Sequence, residues 1–307
     1  MELRQLGQDG PMVPVICFGA WPIGGGMGRV DTKQAISTVH AAISEGITFI
    51  DTAELYNESE SILGKALKGY REKIFLATKV SGDDHSESHI RSAVDNSLKA
   101  LNTDYLDLYQ LHGPQPKWPI DATMSILTKL KDEGKIKYIG ISNFSTNETR
   151  EAVEYGNITS SQPRYNLIFP NEQDVINFCG NNGIGIIAHS VLAKGLLGGK
   201  YKPGHQFAKD DERRLFNFFR GDLFVQITNV TNTLNQWAKD QGRDIAQLAI
   251  AWVLANSQVT SAIVGMKTPH QVIQIAPAAQ WNLSKSDLKE IQHIIGDLQP
   301  KWEKDTT

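Results

Sequence analysis

Cysteine is scarce in this sequence. Cys17 and Cys179 are the whole complement, and both sit in apolar segments. That excludes a disulfide-stapled secreted scaffold and predicts two reduced core thiols in a cytoplasmic protein. Long hydrophobic runs are missing too. None approaches the roughly 20 residues of a membrane span, and the opening MELRQLGQDG lacks the apolar stretch of a secretory leader. Neither sign of charge dominates: 31 Lys and Arg face 34 Asp and Glu, leaving −3 over 307 residues. With no basic block, nucleic acid is not an expected partner. Low-complexity tracts, linkers and composition shifts are also lacking, so one domain over residues 1–307 is predicted.

What the chain does contain is a recurring unit: a short apolar run, a polar loop, then helical spacing. The runs are VICFGAW (15–21), TFIDTA (48–53), IFLATKV (74–80), LDLYQLH (106–112), IKYIGISNF (136–144), ITSSQPRYNL (158–167), IGIIAHSVL (184–192) and TSAIVGMK (260–267). Between them Ile90, Val94, Leu98 and Leu101 recur at helical intervals, as do Met124, Leu127 and Leu130, with Gly134 placed to stop that helix. Asp31 and Gln34 resemble a capping box. Eight strand–helix units predict parallel pairing with right-handed crossovers, closed as a (β/α)8 TIM-type barrel. The opening MELRQLGQDGPMVP is read as a hairpin on the barrel floor, and the chain after Leu283 as an extra C-terminal helix. Residues 200–224 are read as a long irregular segment of the kind that carries function.

In such a barrel the site lies where the strands end. There the runs place Asp51, with Tyr56 beyond it, then Lys79, His112, Ser142 with Asn143, and Gln162. Alone, Asp51 reads as a turn-starting acid, Lys79 as a lysine reaching solvent and His112 as a core histidine. Together they make chemical sense. A phenol is a poor acid at neutral pH; an ammonium beside it lowers its pKa, and a carboxylate holds that ammonium charged. A neutral imidazole positions a carbonyl oxygen. The set reads as a proton-delivery device aimed at one oxygen. It lacks a hydride donor, so a cofactor is required.

FIDTAELY, LATKV, DYLDLYQLH, GISNF and QPRYN occur in the order seen in the aldo-keto reductase family. The chain resembles that family over essentially its whole length, and within it the bacterial reductases related to potassium-channel β subunits. The resemblance implies a catalytic tetrad of Asp51, Tyr56, Lys79 and His112. It implies a nicotinamide-carboxamide site at Ser142, Asn143 and Gln162, a pyrophosphate segment with Ser190, Leu192 and Lys200, and an adenosine-phosphate site with Gly265, Lys267 and Gln271. The cation of Lys267 would meet a 2′-phosphate, which favours NADPH over NADH. Two positions depart from the family pattern. His189 stands where an aromatic ring stacks on the nicotinamide, and Ile275 stands where asparagine is common. A stacking imidazole titrating near 6.5 would weaken NADP⁺ binding as pH drops.

The implied function is NADPH-dependent reduction of aldehydes or ketones to alcohols. Two alternatives remain: an NADP-dependent sugar or polyol dehydrogenase, and a slow redox-sensing accessory subunit. The expected partner is a small carbonyl compound, with the protein a monomer or small homo-oligomer. Trp21 should wall the substrate pocket with Tyr56 and His112, and Trp118 and the phenylalanines of LFNFFRGDLF (215–224) are candidates to join it. Three other signals are set aside. GGGMG (24–28) reads as a flexible loop. GLLGGKY (195–201) lacks the first glycine and the Ser/Thr of a P-loop. His85 and His89 read as a solvated helix start rather than a metal site, so no metal is expected.

Overall fold

The computed structural model describes residues 1–296. Each of the eight apolar runs overlaps a strand: β3 (Ile16–Gly19), β4 (Phe49–Asp51), β5 (Phe75–Val80), β6 (Leu106–Leu111), β7 (Ile136–Ser142), β8 (Ser160–Gln162), β9 (Gly185–Ala188) and β10 (Val259–Gly265). They close into a parallel barrel in the order β10-β3-β4-β5-β6-β7-β8-β9. Most are shorter than the runs. In ITSSQPRYNL the strand itself is Ser160–Gln162; Pro163 has no amide to donate, and beyond it pairing continues only as an isolated bridge between Arg164 and His189.

Helices follow the strands: α1 (Thr32–Ser44), α2 (Ser59–Ala66), α3 (Glu87–Leu101), α4 (Ile120–Asp132), α5 (Thr146–Tyr155), α6 (Gln173–Asn181), α7 (Gly221–Asp240), α8 (Ile245–Ala255), α9 (Pro269–Ile275) and α10 (Lys285–Ile295). The apolar stripes behave as their spacing requires. Ile90, Val94 and Leu101 of α3 and Met124, Leu127 and Leu130 of α4 are buried against the barrel wall. Gly134 lies just past α4 at φ +77°, a left-handed conformation that costs glycine little. Asp31 caps α1 by accepting from the Lys33 and Gln34 amides. The reciprocal half of the expected box is absent, because the Gln34 side chain donates to the Lys267 carbonyl at 2.9 Å instead.

Strand residues alternate between two cores. Cys17, Phe49, Ala77, Leu108, Ile187 and Ile263 cluster with Leu6 and Val13, which come from the hairpin β1 (Leu3–Gln5) and β2 (Met12–Pro14). The hairpin thus seals one end of the barrel, and Arg4 ties it down by donating to the Leu254 and Val259 carbonyls. Two helices, α7 and α8, precede β10. The expected C-terminal helix is α10, opened by a capping box of Ser284 and Asp287. Residues 297–307 of the predicted domain lie outside the described residues.

Candidate active site

Register brings the polar strand ends to one level. Asp51 pairs with Ala77, Lys79 with Gln110, and Ser142 with Gln162. Lys79 is wholly buried, an arrangement that needs partners. Its Nζ donates to Asp51 Oδ1 at 2.5 Å and to the Thr52 carbonyl at 2.9 Å, and lies 3.5 Å from the Tyr56 hydroxyl. Burial alone would lower the Lys79 pKa, but the Asp51 carboxylate and Tyr56 outweigh it and the net shift is upward. Lys79 is therefore an ammonium. The Tyr56 phenol moves the other way from the sequence expectation. Its pKa is raised, because burial outweighs the pull of Lys79, whose charge Asp51 shares. Tyr56 packs edge-on against Trp21 at 4.7 Å and His112 at 5.6 Å between ring centroids. Burial, then Lys79, pushes His112 down to about 3, so its ring is neutral.

Trp21, Asp51, Tyr56 and His112 line a cavity of about 450 Å³, a normal size for a small-molecule site, and Lys79 lies buried behind them. Ser142, Asn143, Gln162, His189 and Ser190 line it beside them. Asn143, at φ +60°, bridges the site. Its Nδ2 donates to the His112 carbonyl at 2.8 Å, and its Oδ1 meets His189 Nε2 at 2.9 Å. His189 therefore carries its proton on Nε2, and Nδ1 accepts from the Ser190 hydroxyl. Gln162 Nε2 is already committed to Asp51 Oδ2 and Gln110 Oε1.

The expected titration of His189 near 6.5 is overturned. Burial, with Lys79, Arg164, His112 and Lys194 nearby, holds its pKa at about 3. The ring stays neutral through the range where NADP⁺ affinity was expected to change. The consequence moves to stability. Between about 3 and 6.5 an unfolded chain protonates these two histidines and the folded chain does not. Stability is thus complete above 6.5 and falls as pH drops, by up to about 1.4 kcal/mol per pH unit for each histidine. Urea midpoints measured from about pH 6.5 down to pH 5, above most carboxylate titration, should fall for the native protein and fall less steeply for His189→Gln. Equal slopes in the two proteins would contradict the assignment.

At the far end of the cavity stand Leu192, Lys200, Gly265, Lys267, Gln271 and Ile275, with Arg213. Loss of hydration, then repulsion from Arg213, lowers the pKa of both Lys200 and Lys267. The Arg213 guanidinium holds Asp211 and also reaches the Tyr201 hydroxyl and the Met27 carbonyl. Lys267 Nζ donates to the Met27 and Gly28 carbonyls. Three crowded cations suit the phosphates of a dinucleotide, and the polar groups around Asn143 suit an amide. These residues fit a nicotinamide cofactor.

Several expectations are corrected here. GGGMG is no free loop: Met27 pairs with Asp211, and Gly24 lies where a Cβ would meet the Tyr56 carbonyl oxygen at 2.1 Å. Trp118 is turned away, donating to the Asp83 carbonyl. Phe216, Phe218, Phe219 and Phe224 pack with α7 and α8 in a separate, third core instead of lining the cavity. His85 is buried rather than solvated, and His89 faces Glu54 at 4.0 Å. Among the described residues no group of three His, Cys, Asp and Glu side chains is arranged to hold a metal ion.

The structure also adds residues. Gln110 Nε2 donates to Asp51 Oδ2 at 3.0 Å. Its signal was present in LDLYQLH, since it shares a strand face with His112. Glu212 accepts from Trp21 Nε1 at 2.9 Å and Lys194 Nζ at 2.7 Å at the cavity rim. No local pattern marked it within the long segment before α7.

Known proteins share both the sequence and the fold. The model of the aldo/keto reductase family matches residues 15–295. The aldo-keto reductase YhdN of Bacillus subtilis is 36% identical, over 96% of this chain and 94% of its own. The L-glyceraldehyde 3-phosphate reductase of Escherichia coli (strain K12) is 29% identical over 97% and 93%. Among solved structures, the glycerol dehydrogenase AKR11B4 from Gluconobacter oxydans superposes with a TM-score of 0.85 at 31% identity, covering 95% of this chain and 94% of that one. The holo form of aldo-keto reductase AKR11C1 from Bacillus halodurans gives 0.80 at 29%, covering 96% of each. The chain belongs to the aldo/keto reductase family of oxidoreductases.

Proposed function

We propose that this protein reduces an aldehyde or ketone to the alcohol with NADPH. The observation that carries the reading is the Lys79 ammonium wedged between Asp51 and Tyr56 at the end of the cavity, beside a neutral His112. Ser142, Asn143, Gln162 and His189 would hold the nicotinamide. Ser190, Leu192 and Lys200 would hold the pyrophosphate, and Gly265, Lys267 and Gln271 the adenosine phosphate. When bound, the cofactor supplies a hydride. His112 positions the carbonyl oxygen, and Tyr56 gives that oxygen its proton. Lys79 then stabilises the phenolate, with Asp51 holding the ammonium in place. Trp21 walls the substrate side.

The raised pKa of Tyr56 supports the reductive direction. A protonated phenol is ready to donate, and an alkoxide is a far stronger base than a phenolate. Oxidation of an alcohol needs the phenolate, which burial defers to high pH. Polyol oxidation is the second reading, favoured by likeness to a protein named as a glycerol dehydrogenase. The whole chain is read as one catalytic domain working in the cytoplasm, as a monomer or small homo-oligomer. Among the described residues no helix is long and apolar enough to cross a membrane.

Initial rates on a panel of aldehydes, ketones and polyols with NADPH, NADH and NADP⁺ test this. Alcohol oxidation at neutral pH without carbonyl reduction would favour the second reading. Cofactor binding without turnover on any substrate would favour a redox-reading accessory role. Cofactor choice has its own test. Lys267→Ala should weaken NADPH by about 10- to 100-fold, the worth of one charge-assisted contact, and leave NADH nearly unchanged. Equal losses in fluorescence titrations would mean that Lys267 acts by holding the Met27 loop instead.

A further inference from the structure

The sequence placed His112 at the site but said nothing of what orients it. Ser81 does. It follows β5 two residues after Lys79, and so turns its side chain to the same face. Ser81 is buried, and its Oγ lies 2.6 Å from His112 Nδ1. A ring flip would put a carbon at that distance, well inside the 3.3–3.6 Å (roughly) of even a weak C–H···O contact, so the contacting atom is the nitrogen. The Ser81 backbone is also held, since its amide donates to Glu54 Oε1 at 2.6 Å. Glu54 belongs to the same loop as Asp51 and Tyr56, and its own amide reaches the Lys79 carbonyl. The loop that carries the phenol therefore clamps the residue that touches the imidazole.

A neutral imidazole has one proton, and the hydrogen bond at one nitrogen decides where it sits. Suppose Nδ1–H donated to Ser81. The hydroxyl hydrogen would then need another acceptor, and Ser81 Oγ has no second partner among the described residues. A buried donor left unpaired is costly. If Oγ–H donates to Nδ1 instead, both groups are satisfied. The ring proton then sits on Nε2, which has no protein partner among the described residues on a ring that lines the cavity. A carbonyl oxygen offers only lone pairs, so it needs that donor.

We infer that Ser81 is a positioning residue: its hydroxyl donates to His112 Nδ1 and fixes the Nε2–H tautomer that presents a hydrogen-bond donor to the substrate oxygen. This rests on reading the site as a carbonyl reductase, but the tautomer itself can be measured without turnover.

Nitrogen-15 NMR of protein labelled at histidine, without substrate or cofactor, tests it. The His112 signals are identified by their loss in His112→Gln. In the native protein at neutral pH, Nδ1 should be unprotonated and Nε2 protonated. In Ser81→Ala the two tautomers should mix. Turnover on an aldehyde should drop about 10- to 100-fold, as when partners that orient functional histidines are removed, with the cofactor KM little changed. Ser81→Thr, which keeps the hydroxyl, should restore both the NMR signature and turnover. A native protein with its proton on Nδ1 would overturn the inference, whatever the variants do. So would a Ser81→Ala protein that keeps a pure Nε2–H ring and turns over within about threefold of native, far less than such partners usually contribute. A protein active on no carbonyl compound would refute the functional reading and leave the tautomer result standing.

Discussion

Tyr56→Phe should cut aldehyde turnover by about 10²- to 10⁴-fold, the usual share of a positioned general acid. The substitution removes one hydroxyl and little else. The ring keeps its edge contacts with Trp21 and His112. Among the described residues the hydroxyl's one protein hydrogen bond is to Lys79, at 3.5 Å. That is long for such a bond, and contacts of this kind commonly shorten only when substrate arrives. Losing it should barely change stability, so a lower melting temperature would not be expected to accompany the lost rate. Cofactor affinity should also survive. Stopped-flow measurement under single-turnover conditions separates the chemical step from product release. A Tyr56→Phe protein still reducing aldehydes within about tenfold of native, below the usual contribution of general-acid catalysis, would mean that another group delivers the proton.

Lys79→Met should lower turnover by about 10²-fold or more, for a different reason. The phenol remains, but nothing stabilises the phenolate it leaves behind. This variant should also be less stable. The Lys79–Asp51 pair is buried at both ends. Removing the cation leaves the Asp51 carboxylate, among the described residues, with the neutral amide donors Gln110 and Gln162. Breaking a buried pair in this way typically costs about 3–5 kcal/mol. The two effects can be separated. Adding Asp51→Asn removes the stranded charge and should recover much of the stability without recovering turnover. If the double variant regains both, Lys79 serves the fold and not the reaction. Full turnover in a stable Lys79→Met protein would defeat the proposal outright.

The barrel was legible in the sequence because its cause is repeated eight times. Each unit carries an apolar run, a stop and a helical stripe, and closure satisfies every strand edge at once. The positions of Asp51, Lys79, His112, Ser142 and Gln162 were legible for a related reason. Each polar side chain ends or nearly ends an apolar run, and in a parallel barrel the strand ends face one another. Gln110 was equally readable, two residues before His112, but an uncharged amide inside an apolar run is a weaker signal than a charge, because burying it costs less.

Other features depended on packing between segments far apart in the chain. The Met27–Asp211 pairing joins loops 184 residues apart in sequence, 211 minus 27. Neither loop has a period that predicts its partner. The phenylalanines after Leu215 were candidates for the substrate wall, yet they pack with α7 and α8. The tyrosine and histidine pKa values turned on the same point. An ammonium near a phenol was predictable from residue types, but the net shift depends on how much water the fold removes. The types of groups at the reaction centre were set by local sequence. Their protonation, the His112 tautomer and the shape of the cavity depend on burial and on contacts across the barrel mouth, which come into being only when the eight strands close.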